Sequence, residues 1–99
     1  MVLKLAWTRL AAQDRRDIRA YIARDNPVAA LALDELISEK TTRLTEYPAL
    51  GRSGRITDTR ELVVHPNYIL VYDVTGDTVR ILRMLHASRQ WPESGRATG

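Results

Sequence analysis

The chain has no cysteine, only two lysines and no long apolar run. Without cysteine there is no disulfide and no thiolate metal site, which fits a reducing compartment. A bilayer-spanning helix needs roughly 18 or more consecutive apolar residues, and the runs here are far shorter, so no membrane association is expected. The segment Met1–Trp7 lacks a basic region ahead of an apolar stretch, so the sequence reads as having no signal peptide and as cytoplasmic. Internal repeats, low-complexity tracts and dividing linkers are also missing. No metal and no cofactor are expected.

What remains is a short chain of 99 residues, of which 44% are apolar. That is enough for one domain with a single core. Its boundaries are placed at residues 1–92, with 93–99 a disordered tail, because nothing in Glu93–Gly99 is apolar enough to anchor it. The formal charge is +3 and the pI about 9.7, which points to an anionic partner. The excess is uneven. From Thr8 to Glu46 seven cations face seven acids, whereas from Tyr47 onward seven arginines face five acids. Every cation from Arg43 on is an arginine, the side chain that grips phosphate or carboxylate in a planar fork.

Leu3, Leu5 and Trp7 alternate with Val2, Lys4 and Ala6, which predicts a short first strand. Thr8 is a suitable N-cap, and Ala11, Asp14, Ile18, Tyr21 and Ile22 follow at helical spacing. Asp14 is the odd member of that stripe, placed to cap or pair with something below the helix. Arg15, Arg16 and Arg19 read as a solvated face. The helix ends near Asp25, and Asn26-Pro27 supplies an N-cap and an N1 proline for a second helix. Ala30, Leu33, Ile37, Lys40 and Leu44 carry it to about Glu46, so the two helices form an antiparallel hairpin. Residues Ala49 to Asp58 read as a loop. Thr59–His65, Tyr68–Val74 and Asp77–Leu85 read as strands, joined at His65-Pro66-Asn67 and Thr75-Gly76-Asp77. The order β-α-α-β-β-β predicts an α+β domain. A short N-terminal strand and a helical hairpin precede a three-stranded antiparallel meander, and all strands form one sheet.

These residues resemble the RelE/ParE superfamily of toxins from type II toxin–antitoxin modules, and are most similar to its ParE-like branch. The resemblance spans roughly residues 2–92. It rests on the element order and on Tyr47-Pro-Ala-Leu-Gly-Arg-Ser-Gly-Arg55, Thr59-Arg-Glu-Leu-Val-Val64, Tyr68-Ile-Leu-Val-Tyr72 and Ile81-Leu-Arg-Met-Leu-His-Ala-Ser-Arg-Gln-Trp91. It implies a cognate antitoxin that wraps and neutralises the chain in a hetero-oligomer. It also implies one of two targets: ParE-like members poison DNA gyrase, and RelE-like members cut mRNA on the ribosome. A ribonuclease of that kind needs a proton acceptor, a donor to the leaving oxygen and cations at the phosphate. Arg89 falls near the position of a functional arginine in RelE-like toxins, and His86 in the region of a catalytic histidine. The lysine-rich surface of RelE is absent, and no tyrosine follows Arg89, Trp91 being the nearest aromatic.

Several residues carry two readings. His86 is either a general base or a strand-end histidine held by hydrogen bonds, and His65 reads as a turn residue. Arg60 and Arg83 either form an anion-binding surface or pair with acids such as Glu61 or Asp73. Arg83 is placed by alternation on the face of Val79, Ile81 and Leu85. Gly51-Arg-Ser-Gly-Arg55 is an anion-binding turn or a flexible basic one. Tyr68 and Tyr72 share the face of Leu70 and are assigned to the core. Trp7 and Trp91 either stack on a base or are buried.

The expected target-binding set is Arg52, Arg55, Arg60, Arg83, Arg89 and Trp91, with His86 and Arg89 catalytic only in a ribonuclease. The leading reading is a gyrase-binding toxin of a plasmid-stabilisation type, inhibiting growth by binding. The rival readings are a ribosome-dependent endoribonuclease and a non-toxic antitoxin-binding co-repressor.

Overall fold

The structure is a computed structural model that describes residues 2–89, 91 and 92. Gln90 and the expected tail at 93–99 lie outside the described residues. Strand β1 (Lys4–Trp7) leads into α1 (Arg9–Ala23) and α2 (Pro27–Glu46). Four further strands follow: β2 (Arg52–Ser53), β3 (Arg60–His65), β4 (Tyr68–Thr75) and β5 (Thr78–His86). The strands form one sheet in the order β1-β5-β4-β3-β2. β3, β4 and β5 make the expected antiparallel meander, and β1 joins it parallel to β5 after the helical crossover.

Local chemistry accounts for three of the boundaries. Thr8 Oγ1 accepts from the Ala11 amide at 3.1 Å and donates to the Leu82 carbonyl at 3.2 Å, so one hydroxyl caps α1 and ties it to β5. The Asn26 side chain accepts from the Ala29 amide at 3.0 Å ahead of Pro27, where the missing N–H costs nothing. Gly76, at φ +58°, occupies the first loop position between Thr75 and Thr78, where a tight hairpin needs a positive φ.

The helices cover one sheet face. Ala11, Leu33, Ile37, Leu44, Leu62, Val64, Tyr68, Leu70, Tyr72, Val79, Ile81 and Met84 close the main core there. β4 is buried without a break from Tyr68 to Tyr72 because the other face is also covered, by a smaller cluster of Ile69, Val71 and Leu85 packed against Leu82 and Trp91.

The structure corrects several details. The segment expected as a loop contains β2, whose Arg52 and Ser53 pair with Glu61 and Arg60. The three long strands start or end one residue later than expected. Tyr21 is exposed rather than in the α1 stripe, and Thr41, not Lys40, fills the buried turn of α2. Arg15 is not simply solvated: it bonds to Asp34 at 2.8 Å and lies 4.8 Å over the Trp7 ring.

The register of β4 against β5 shifts between Val71↔Arg83 and Tyr72↔Ile81, leaving Leu82 as the extra residue of a bulge. Strict alternation therefore fails. Val79 and Ile81 face the helices, while Leu85 faces the other way.

Candidate functional site

Past Trp7 the outer edge of β5 has no strand beside it among the described residues, and α1 takes that place. Asp14 Oδ2 accepts from the Met84 amide at 3.0 Å and from Arg83 Nε at 2.8 Å, while Oδ1 accepts from Arg83 Nη2 at 3.2 Å. One carboxylate thus satisfies an edge amide and receives a two-pronged guanidinium. Both side chains are mostly shielded from solvent. This is the partner that the odd position of Asp14 anticipates. Arg83 also lies 5.6 Å from the Trp91 ring centre.

A second carboxylate lies across the same sheet face. Glu61 is the residue of β3 opposite Arg52 on one side and Val71 on the other, so it points away from the helices. Its side chain is only 1% exposed. It accepts from the Arg55 amide at 3.1 Å and from Arg52 Nη2 at 3.3 Å, with Arg55 Nε 3.6 Å away. Arg55 Nη1 in turn donates to the Trp91 carbonyl at 3.2 Å. Trp91 is therefore approached from both sides: Arg83 over its ring and Arg55 at its backbone, each arginine fixed by its own carboxylate.

The loop carrying Arg52 and Arg55 is itself held from below. The Tyr72 hydroxyl donates to the Pro48 carbonyl at 2.6 Å and accepts from the Gly51 amide at 2.9 Å. Any Cβ at Gly51 would lie 2.8 Å from the Tyr72 ring and hydroxyl, so only glycine allows this approach. Burial pushes the Tyr72 phenol above its ordinary range, partly offset by the Gly51 amide and Arg60; burial also raises Tyr68.

The remaining expected residues lie elsewhere. Arg60 shares the helix-covered face with Tyr72, and its guanidinium donates to the Gly51 carbonyl at 2.7 Å. Asp73, one acid considered for these arginines, instead pairs with Arg80 at 2.6 Å, a hydrogen bond that raises the Arg80 pKa.

His86 ends β5 opposite Tyr68, its ring edge-on at 5.4 Å. Its Nδ1 accepts from the Ser88 amide at 3.1 Å, and the Ser88 hydroxyl is 2.7 Å from the same nitrogen. An amide nitrogen only donates, so the neutral ring carries its proton on Nε2. That tautomer offers a donor to the surroundings, and its one acceptor nitrogen is already in use. His65 repeats the arrangement, accepting from the Asn67 amide at 3.0 Å. Arg89 is exposed just beyond, its amide donating to the His86 carbonyl at 2.9 Å.

The structure thus gathers Arg52, Arg55, Arg83 and Trp91 on the helix-free face and sets Arg60 and the His86 ring apart from them. Sequence reasoning weighed Glu61 only as a mate for Arg60 or Arg83. Its place between two arginines depends on the short β2, for which a two-residue segment gives no periodic signal.

A parallel first strand, a helical hairpin and a meander recur in the chromosomal ParDE toxin–antitoxin system of P. aeruginosa. The match has a TM-score of 0.76 at 26% identity and covers 86% of this chain and 96% of that one. The architecture is that of a small toxin from a type II toxin–antitoxin module. More narrowly, residues 5–91 match the ParE toxin of type II toxin-antitoxin system, parDE, and the chain belongs to that family. It is 43% identical over 91 residues to Y4kP of Sinorhizobium fredii, covering 91% of this chain and 94% of the relative. It is 38% identical over 86 residues to toxin RelE2 of Caulobacter vibrioides, covering 87% and 97% respectively.

Proposed function

We propose that this toxin arrests growth by binding DNA gyrase through its helix-free sheet face, without breaking a bond itself. The observation that carries the reading is the pairing of two arginines with one buried carboxylate. Arg52 and Arg55 have side chains 58% and 41% exposed and share Glu61, leaving one positive charge in excess beside Trp91. Such a surface can grip an anionic or carboxylate-rich target. The geometry also disfavours the ribonuclease reading, because the acceptor nitrogen of His86 is committed to Ser88.

A cognate antitoxin is the second partner, and a different surface suits it. Clefts of about 520 and 400 Å³ run along α2 and meet at Leu36, with Leu62 in one and Tyr68 in the other. Beside them, β2 covers β3 only at Arg60 and Glu61, so Leu62–His65 offers an unpaired strand edge among the described residues. An antitoxin segment with apolar anchors lies in the clefts and extends the sheet at that edge.

The test is a supercoiling assay with purified gyrase. The expected result is inhibition by the wild-type toxin and relief by Arg52→Ala/Arg55→Ala. Unchanged supercoiling at large toxin excess removes gyrase as the target. Codon-phased mRNA cuts on primer extension, lost in Arg89→Ala and His86→Ala, establish the ribonuclease instead. Normal growth on expression without antitoxin establishes the co-repressor.

A further inference from the structure

We infer that Glu61 is a positioning residue: its buried carboxylate sets the direction in which Arg52 and Arg55 meet the target. The inference rests on the reading of the helix-free face as the target surface, and it concerns a residue that touches the target only through others.

The surroundings of Glu61 make its presence informative. It shares its sheet face with Val71 and Ile69, and Leu85 completes the apolar cluster there. For stability alone an apolar side chain suits this position at least as well, since a buried ion pair replaced by well-packed apolar groups often leaves a fold equally stable. A carboxylate enclosed to 1% exposure is tolerated here because the Arg55 amide and Arg52 Nη2 donate to it and the Arg55 guanidinium lies 3.6 Å away as a counter-charge. Those contacts account for one side of each guanidinium. Apart from the bond of Arg55 to the Trp91 carbonyl, the rest of both guanidinium groups is open to water.

The arrangement therefore orders two long side chains before any partner arrives. An arginine ordered in the free protein loses less rotamer freedom on binding, so the same contacts yield a tighter complex. Arg55 also carries this order to the C-terminal segment through its bond to the Trp91 carbonyl. Asp14 does the comparable service for Arg83, but Asp14 also caps the edge amide of Met84, so its loss confounds positioning with folding. Glu61 also accepts from the Arg55 amide, but that amide lies in the loop and not in the β5 ladder, so a folding readout beside each variant separates the two roles.

The test compares Glu61→Met, Glu61→Gln and Glu61→Asp with the wild type and with Arg52→Ala/Arg55→Ala. Antitoxin binding first establishes that each variant is folded. Growth arrest on titrated expression measures toxicity, and the Arg Nε–H signals in NMR measure order. We expect Glu61→Met and Glu61→Gln to bind antitoxin normally but to need about tenfold more protein for arrest, equivalent to about 1.4 kcal/mol. Glu61→Asp, which keeps the charge, should recover part of the loss. In the wild type the Arg55 Nε–H should exchange with water more slowly than that of Arg24, exposed at the end of α1. That difference should vanish in Glu61→Met.

If Glu61→Met and Glu61→Gln stay fully toxic while the double arginine variant is inactive, the surface reading stands and the positioning role is overturned. If the double arginine variant is itself fully toxic, the surface reading falls. The NMR comparison then decides the positioning role alone: Arg55 exchange unchanged by Glu61→Met overturns it, and faster exchange upholds it. Should Glu61→Met and Glu61→Gln both fail to fold, wild-type exchange at Arg55 as fast as at Arg24 overturns the inference, and slower exchange supports it.

Discussion

The two faces of the sheet are built on different physics. Under the helices, apolar side chains from α1, α2 and four strands interlock, and even the polar Thr41 is absorbed by a bond to the Ile37 carbonyl. On the other face three buried aliphatic residues of the sheet pack against Leu82 and a single tryptophan, with arginines held by carboxylates beside them. The first face is insensitive to charge and belongs to folding. The second spends less of its surface on packing and keeps charged groups half in water, where a partner can reach them. The same strand serves both: Leu70 points into one and Val71 into the other.

The sharpest way to break this comparison is to truncate each side in turn. Leu70→Ala should cost about 3 to 4 kcal/mol in urea unfolding, because its site is enclosed by helix and sheet. Val71→Ala removes less volume from a smaller cluster, packed only by Leu82 and the Trp91 ring among the described residues, and should cost about half as much. Equal losses would mean that the helix-free face carries as much of the fold as the other.

Asp14→Ala should come next, at about 2 to 3 kcal/mol, since it leaves both the Arg83 guanidinium and the Met84 amide without their partner. A cost near zero in thermal and urea unfolding would show that this ion pair is incidental to the β5 edge.

The smallest effect is confined to alkaline solution. Burial raises the phenols of Tyr68 and Tyr72 above their usual value near 10. The folded chain then holds protons that the unfolded chain releases, so the stability they contribute is complete below about pH 10 and declines as pH climbs toward the raised values. Absorbance titration of the tyrosines, with unfolding followed at rising pH, checks this. Tyr72→Phe should flatten part of the decline.

Much of the scaffold is legible in the sequence because local chemistry writes it. Thr8 and Asn26-Pro27 mark the helix starts, Gly76 marks a hairpin, and the unbroken run Tyr68–Tyr72 marks a central strand. Asp14 stands out because an acid in an apolar stripe needs a mate. The site is less legible, since its parts meet only in three dimensions. A two-residue strand has no period, and a single bulged residue at Leu82 reverses the facing of everything beyond it. The pairings then follow from position: Asp14 takes Arg83, Glu61 takes Arg52 and Arg55, and Asp73 takes Arg80.

The pairing of β1 with β5 has a temporal side. β1 stays without this partner until the strand made more than seventy residues later emerges, since Lys4 meets Thr78 and Trp7 meets Ile81. Contacts so distant along the chain form late and slowly. Until then the nascent polypeptide has neither its outermost ladder nor the segment that bears Trp91. The surface proposed to meet the target is therefore completed only once β5 and Trp91 have been made, and a neutralising protein already in solution has that interval in which to engage the chain.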